Sequence, residues 1–108
     1  MKTLSKEDLK RMNEQEHDDF VLINVLPRDH FNQQHIRTSV NVPHDRDDFI
    51  DQVERISGHK DRKIVVYCAS FDCDASPKAA KKLEKAGFSR VYDYEGGTKD
   101  WFEHRKSA

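Results

Sequence analysis

The chain has 108 residues, 35% of them apolar and 36% charged, with 19 Lys and Arg against 20 Asp and Glu. A chain of this length is expected to form one domain over residues 1–108, burying roughly two thirds of its unfolded surface around a lean core. The net charge of −1 argues against a nucleic-acid partner or a membrane surface, and no segment approaches the ~20 apolar residues of a membrane span.

The opening MKTLSKEDLK lacks an apolar signal region, so the expectation is a cytoplasmic protein. In that compartment two cysteines are more often chemical or metal-binding than a structural staple. Ser5 is placed to cap a first helix, with Asp8 three residues on and Leu9 and Met12 on its inner face. The β-branched run FVLINV, Phe20 to Val25, predicts a short buried strand that Pro27 ends. RDHFNQQHI holds one helical turn or two, and SVNVP, Ser39 to Pro43, predicts a second short strand. In DDFIDQVERIS the residues Phe49, Ile50, Val53 and Ile56 fall on one helical stripe, with Gly58 as a C-terminal stop. KIVVYC, Lys63 to Cys68, is the clearest central strand. Ser76 followed by Pro77 reads as an N-cap with proline at the first helical position. Ala79, Ala80, Leu83 and Ala86 form the inner face of that helix, which Gly87 ends. VYDY predicts a further strand, Gly96 and Gly97 turn the chain, and a last short helix carries Trp101 and Phe102 at a spacing that suits core packing.

Strands alternating with helices predict an α/β fold: a mainly parallel central sheet with helices on both faces. In such sheets ligands bind at the carboxyl ends of strands. Cys68 lies at such an end. The loop behind it runs into a helix N-terminus, whose free amides and dipole favour an anion. A thiolate is an anion, so this placement lowers a cysteine pKa. Three readings of Cys68 stay open at this level. It is a reactive thiol, a small buried apolar residue, or a zinc ligand, since Cys68 and Cys73 are spaced C-x4-C and His30 and His35 H-x4-H. The cysteine pair spans a strand end and a long loop rather than a tight knuckle, which counts against zinc.

LINVLPRDHFNQQHIRTSVNVP, Leu22 to Pro43, sets Phe31, the His35–Ile36 pair, Asn41 and Pro43 behind a strand. VVYC ends the central strand in a cysteine, and SPKAAKKLEKAGFSRVYDYEGGTKDW supplies Ser76, Ala79, Ala80, Leu83, Gly87, Phe88, Val91, Gly96, Gly97 and Trp101. With these pieces in this order, the chain resembles a single-domain rhodanese, of the sulfurtransferase family, over nearly its whole length. The resemblance implies a rhodanese-like three-layer fold. It implies that the Cys68 thiolate attacks the outer sulfur of thiosulfate or a persulfide, carries it as a Cys68 persulfide and passes it to a thiol or other nucleophilic acceptor, small or protein-borne. The loop of Ala69, Ser70, Phe71, Asp72, Cys73, Asp74, Ala75 and Ser76 would cradle the sulfur. No metal or organic cofactor is implied. The alternative is a non-catalytic module that uses the Cys68/Cys73 loop to bind a partner or sense redox state.

Departures from the family pattern bear on the substrate. The loop is longer than usual and contains Asp72 and Asp74 but no Lys or Arg. Asn24 stands where the family usually has aspartate, Leu26 where it has arginine, Gln34 for glycine and His30 for an acid. The first-strand changes raise the question of what supports the loop. With no arginine to clamp phosphate, the phosphatase and arsenate reductase relatives of the fold are disfavoured. The acidic loop predicts that thiosulfate, a dianion, is a poor donor and that neutral or protein-borne persulfides do better. His35 reads as packing and hydrogen-bond structure rather than a general base. Asp72 and Asp74 are expected to keep Cys73 protonated, leaving Cys68 as the nucleophile. The spacing also lets Cys73 serve as a resolving thiol for Cys68, or simply pack under the loop.

Overall fold

The computed structural model describes residues 2–16 and 18–103. Among them, strands β1 (Lys2–Thr3), β2 (Phe20–Asn24), β3 (Val40–Asn41), β4 (Lys63–Tyr67) and β5 (Val91–Tyr94) form one sheet in the order β1-β5-β4-β2-β3. Every pairing is parallel. The connecting helices are α1 (Lys6–Gln15), α2 (Arg28–Gln33), α3 (Phe49–Ser57), α4 (Ala75–Lys85) and α5 (Gly97–Phe102).

β4 takes the centre because its apolar run can be buried on both faces. Ile64, Val66 and Cys68 pack into one layer with Phe49 and Val53 of α3 and Ala79, Ala80 and Leu83 of α4. Val65 and Tyr67 pack into the other with Leu9 and Met12 of α1, and half-buried Trp101 of α5 joins them. Helices therefore cover both faces, as the alternation of elements predicts. None of the described helices is long and apolar enough to cross a membrane.

Several local expectations shift. The capping box of α1 forms as read: Asp8 N donates to Ser5 Oγ at 3.1 Å and Ser5 N to Asp8 Oδ2 at 3.4 Å. β1 carries no sequence signal, since two residues show no periodicity; it exists by pairing with β5, continued by Leu4 N donating to Asp93 O at 3.0 Å. The strand read over Ser39 to Pro43 is only Val40–Asn41. In α3 the buried stripe is Phe49, Val53 and Ser57, while Ile56 is 39% exposed. Steps of four along a helix keep one face, and that face passes through 57 rather than 56. α4 begins at Ala75, so Asp74 rather than Ser76 occupies the N-cap. The Ser76 hydroxyl turns to Cys68 instead of to the helix amides. Pro77 still falls in the first turn, where a missing N–H costs nothing.

Candidate active site

Cys68 follows directly on β4, at the carboxyl end of the central strand, and is 1% exposed. The first turn of α5 holds the root of its loop. Thr98 N donates to Cys68 O at 3.0 Å, Lys99 N to Ala69 O at 2.9 Å and Thr98 Oγ1 to Ala69 O at 3.2 Å. Such close approach needs Gly97: its φ is +65°, and a Cβ there would run into Cys68 O and lie 2.6 Å from the Ala69 carbonyl carbon. Further on, Cys73 N donates to Ser70 O at 3.1 Å and turns the chain back. The amides of Ala69, Ser70, Phe71 and Asp72 have no protein acceptor among the described residues. Successive free amides in a tight turn form a concavity suited to an anion.

The structure joins Cys68 and Cys73 as a disulfide, with their Cα atoms 6.4 Å apart. Ser76 Oγ lies 3.4 Å from Cys68 Sγ and is buried with it. Of the loop residues singled out from sequence, Cys68, Cys73 and Ser76 thus come together. Ala75 is buried in the core, Ala69 and Ser70 are half-buried, and Phe71, Asp72 and Asp74 are exposed. The two carboxylates do not stand alone, contrary to the sequence reading of a loop unanswered by any cation. Lys78, one turn into α4, pairs with Asp74 at 3.0 Å and holds that carboxyl below its usual range by hydrogen bond and charge. Asp72 remains as the outstanding negative charge of the loop.

Sequence reasoning passed over Asp93. It lies in β5, 1% exposed, and neither carboxyl oxygen has a hydrogen-bond partner. Burial pushes this carboxyl up from its ordinary 3.8; the nearby Ser76 hydroxyl opposes that and Glu95 reinforces it. The signal that could have found it is period two: in VYDY, Asp93 alternates with Val91 and so shares the inward face.

The ends of β2 and β3 are tied together separately. Asn24 is fully buried; Leu26 N donates to its Oδ1 at 2.9 Å, and Asn41 Nδ2 donates to Leu26 O at 2.8 Å. Tyr67 Oη meets Ser39 Oγ at 2.7 Å and accepts from Ile36 N at 3.0 Å. Asn24 therefore supplies an acceptor that holds the turn after β2, and its bonds run to β3 rather than to the cysteine loop. His35 donates from Nδ1 to Phe31 O at 2.8 Å and stacks on the Phe31 ring with centroids 3.8 Å apart, which is the structural role expected of it. His30 is exposed. Among the described residues, no group of three or more His, Cys, Asp or Glu is placed to hold a metal ion.

Residues 5–104 match the model of the rhodanese-like domain. The chain is similar to the tRNA uridine(34) hydroxylases of an Enterobacter species, at 32% identity over 82 residues, and of Escherichia coli, at 33% over 75. These alignments cover 73% and 65% of this chain but 23% and 21% of those proteins, so the chain spans less than a quarter of their length. Among solved structures, a Bacillus halodurans protein matches with a TM-score of 0.80 at 26% identity, covering 93% of this chain and 70% of that one. The rhodanese-like domain of an Anabaena protein matches at 0.77 and 28%, covering 94% and 73%. The thiosulfate sulfurtransferase of Pseudomonas aeruginosa shares the fold, with a TM-score of 0.79 at 24% identity over 94% of this chain and 18% of that one. With the family model spanning nearly the whole sheet and the cysteine loop, the chain belongs to the rhodanese-like domain family.

Proposed function

We propose that this protein is a cytoplasmic sulfurtransferase working through a persulfide on Cys68. One observation carries the reading: Cys68 sits at the carboxyl end of the central strand, beside the Ser76 hydroxyl and under a loop whose amides are free to hold an anion. In the reduced protein the Cys68 thiolate attacks the terminal sulfur of a donor persulfide. A Cys68 S–S bond forms, the donor S–S bond breaks and the donor leaves as a thiol. An acceptor thiolate then attacks the outer sulfur, Cys68 leaves as thiolate and the acceptor carries the new persulfide. Two displacements transfer one sulfane sulfur with no net oxidation. Asp72 disfavours the thiosulfate dianion, and exposed Phe71 beside it offers an apolar contact to a protein-borne donor or acceptor.

Cys73 gives the intermediate a second fate. Its thiolate attacks Cys68 Sγ of the persulfide, hydrosulfide leaves and the Cys68–Cys73 disulfide closes. Two thiols are oxidised while the sulfane sulfur is reduced to sulfide, and a reducing thiol reopens the pair. That disulfide favours a second reading, in which the loop is a redox-sensing or binding module without turnover.

The test is intact mass of the reduced protein after exposure to thiosulfate and to small and protein persulfides. A gain of one sulfur that vanishes in Cys68→Ala and lasts longer in Cys73→Ala is expected. Reversible disulfide formation with no sulfur gained from any donor would leave only the redox module.

A further inference from the structure

Sulfur transfer as proposed makes no use of the buried carboxyl of Asp93. Asp93 has no hydrogen-bond partner on either carboxyl oxygen, and buried polar groups without partners are rare. In the register of β5 against β4 it stands opposite Val66, two residues before Cys68. Residues two apart on a strand share a face, so Asp93 faces the same layer as Cys68. From α4, Ser76 is 1% exposed and places its hydroxyl 3.4 Å from Cys68 Sγ. The same hydroxyl is near enough to the Asp93 carboxyl to favour its charge, although no hydrogen bond joins the two. Ser76 thus lies in the layer that Asp93 and Cys68 both face, with a single proton to donate.

We propose that Asp93 is a positioning residue for the Cys68 thiol, acting through the Ser76 hydroxyl. In its protonated state Asp93 donates to Ser76 Oγ, and the Ser76 hydroxyl donates to the sulfur anion on Cys68. In its ionised state Asp93 accepts the Ser76 hydrogen bond instead; the sulfur anion loses a donor and gains a buried negative neighbour. The first state favours the thiolate and then the persulfide anion, and the second disfavours both. The surroundings support the protonated state. Burial raises the carboxyl, and Glu95, two residues on, adds repulsion. Across the sheet, its register partners Val66 of β4 and Thr3 of β1 carry no charge. On α4 the Lys78 ammonium is engaged by Asp74, and on α5 the Asp100 carboxyl accepts from Tyr94.

This inference rests on Cys68 being the reactive thiol, and the test reads that separately from sulfur transfer. In a reduced Cys73→Ser background, the rate of Cys68 alkylation by iodoacetamide is followed against pH. Asp93→Asn keeps the shape and fixes a donor toward Ser76, so it holds the site in its protonated-like state. Where the wild-type carboxyl is ionised, a donor gained by a charged acceptor is expected to raise the thiolate fraction about tenfold. Lower intrinsic nucleophilicity reduces this to alkylation about threefold faster. Where the carboxyl is protonated, the two proteins should react alike. Adding Ser76→Ala is expected to cancel the gain. A purely structural Asp93 would move the melting temperature and leave the alkylation profile in place, and that result overturns the proposal. So does a gain that survives loss of the Ser76 hydroxyl. Should Asp93→Asn not fold, Asp93→Ser, which removes the charge and keeps a hydroxyl donor toward Ser76, takes its place: a faster reaction that Ser76→Ala cancels supports the inference, and an unchanged profile overturns it. Failure of sulfur transfer with the pH response intact would overturn the proposed function and not this role.

Discussion

Two buried carboxyl groups on neighbouring elements are treated in opposite ways. Asp100 of α5 is fastened: Tyr94 Oη donates to its Oδ2 at 2.6 Å, and Lys6 Nζ caps its backbone carbonyl at 3.0 Å. Asp93 of β5 accepts no hydrogen bond on either carboxyl oxygen, and the Ser76 hydroxyl and the Glu95 charge act on it in opposite directions. The Tyr94–Asp100 pair ties the end of β5 to α5, on the layer of α1. Asp93 sits in the layer of the cysteine. A carboxyl with its own donor is a fastening, whereas one without keeps a protonation state that its surroundings can move.

The comparison breaks most completely at Gly97, because α5 both carries Asp100 and grips the Cys68 loop. Gly97→Ala adds a Cβ into the backbone at Cys68 and Ala69, at a φ of +65° that alanine resists. A loss on the order of 3 kcal/mol is expected in urea unfolding, together with loss of Cys68 reactivity. A midpoint like the wild type would mean that α5 does not hold the loop.

Tyr94→Phe tests the fastened carboxyl alone. Removing the tyrosine donor from a buried carboxyl is expected to cost about 1–3 kcal/mol. The pH profile of Cys68 alkylation should not move, since Asp100 and the cysteine lie on different layers. A shifted profile would erase the distinction between the two aspartates.

The sequence discloses the frame more fully than it discloses this contrast. FVLINV and KIVVY announce buried strands through β-branched runs, and the alanines of α4 announce a close-packed face. The position of Cys68 follows from the strand that ends in it, and the cysteine spacing already allows the pairing with Cys73. What stays hidden depends on direction in space. Ser76 before Pro77 reads as a cap whether its hydroxyl turns to helix amides or to a sulfur. Asp93 inside VYDY shares the period-two face of Val91, but its burial shows only once the sheet sets β1 and β4 on either side of β5. Ile56 looks like core by type, although the turn of α3 buries Ser57 instead.

A smaller effect is expected from Asp93→Asn on stability. The folded carboxyl holds its proton more tightly than the unfolded one, because burial disfavours its charge. Wild-type stability at this residue is therefore intact below the ordinary carboxylate value and is lost as pH rises toward the raised folded value. The amide carries no such loss. Asp93→Asn should melt above the wild type near pH 7 and level with it near pH 3. A gap that stays constant with pH would show that Asp93 does not titrate on folding.

The smallest effect concerns the rim, where Asp72 is exposed and Asp74 is answered by Lys78. With two unanswered carboxylates at an interior-like dielectric, thiosulfate would face a steep barrier. The structure replaces that picture with one outstanding charge in nearly bulk water. A carboxylate ~6 Å from a dianion at that dielectric opposes it by about 1.4 kcal/mol, and physiological salt screens this to roughly half. Asp72→Asn should therefore raise kcat/KM for thiosulfate about threefold at moderate salt. Lys78→Met, which leaves Asp74 unanswered, should lower it. Both effects should fade toward 1 M salt, where the screening length falls to ~3 Å. A neutral persulfide donor should respond to neither substitution. If thiosulfate also ignores both, the rim does not select against anions, and donor choice lies with the loop amides and the Ser76 hydroxyl next to Cys68.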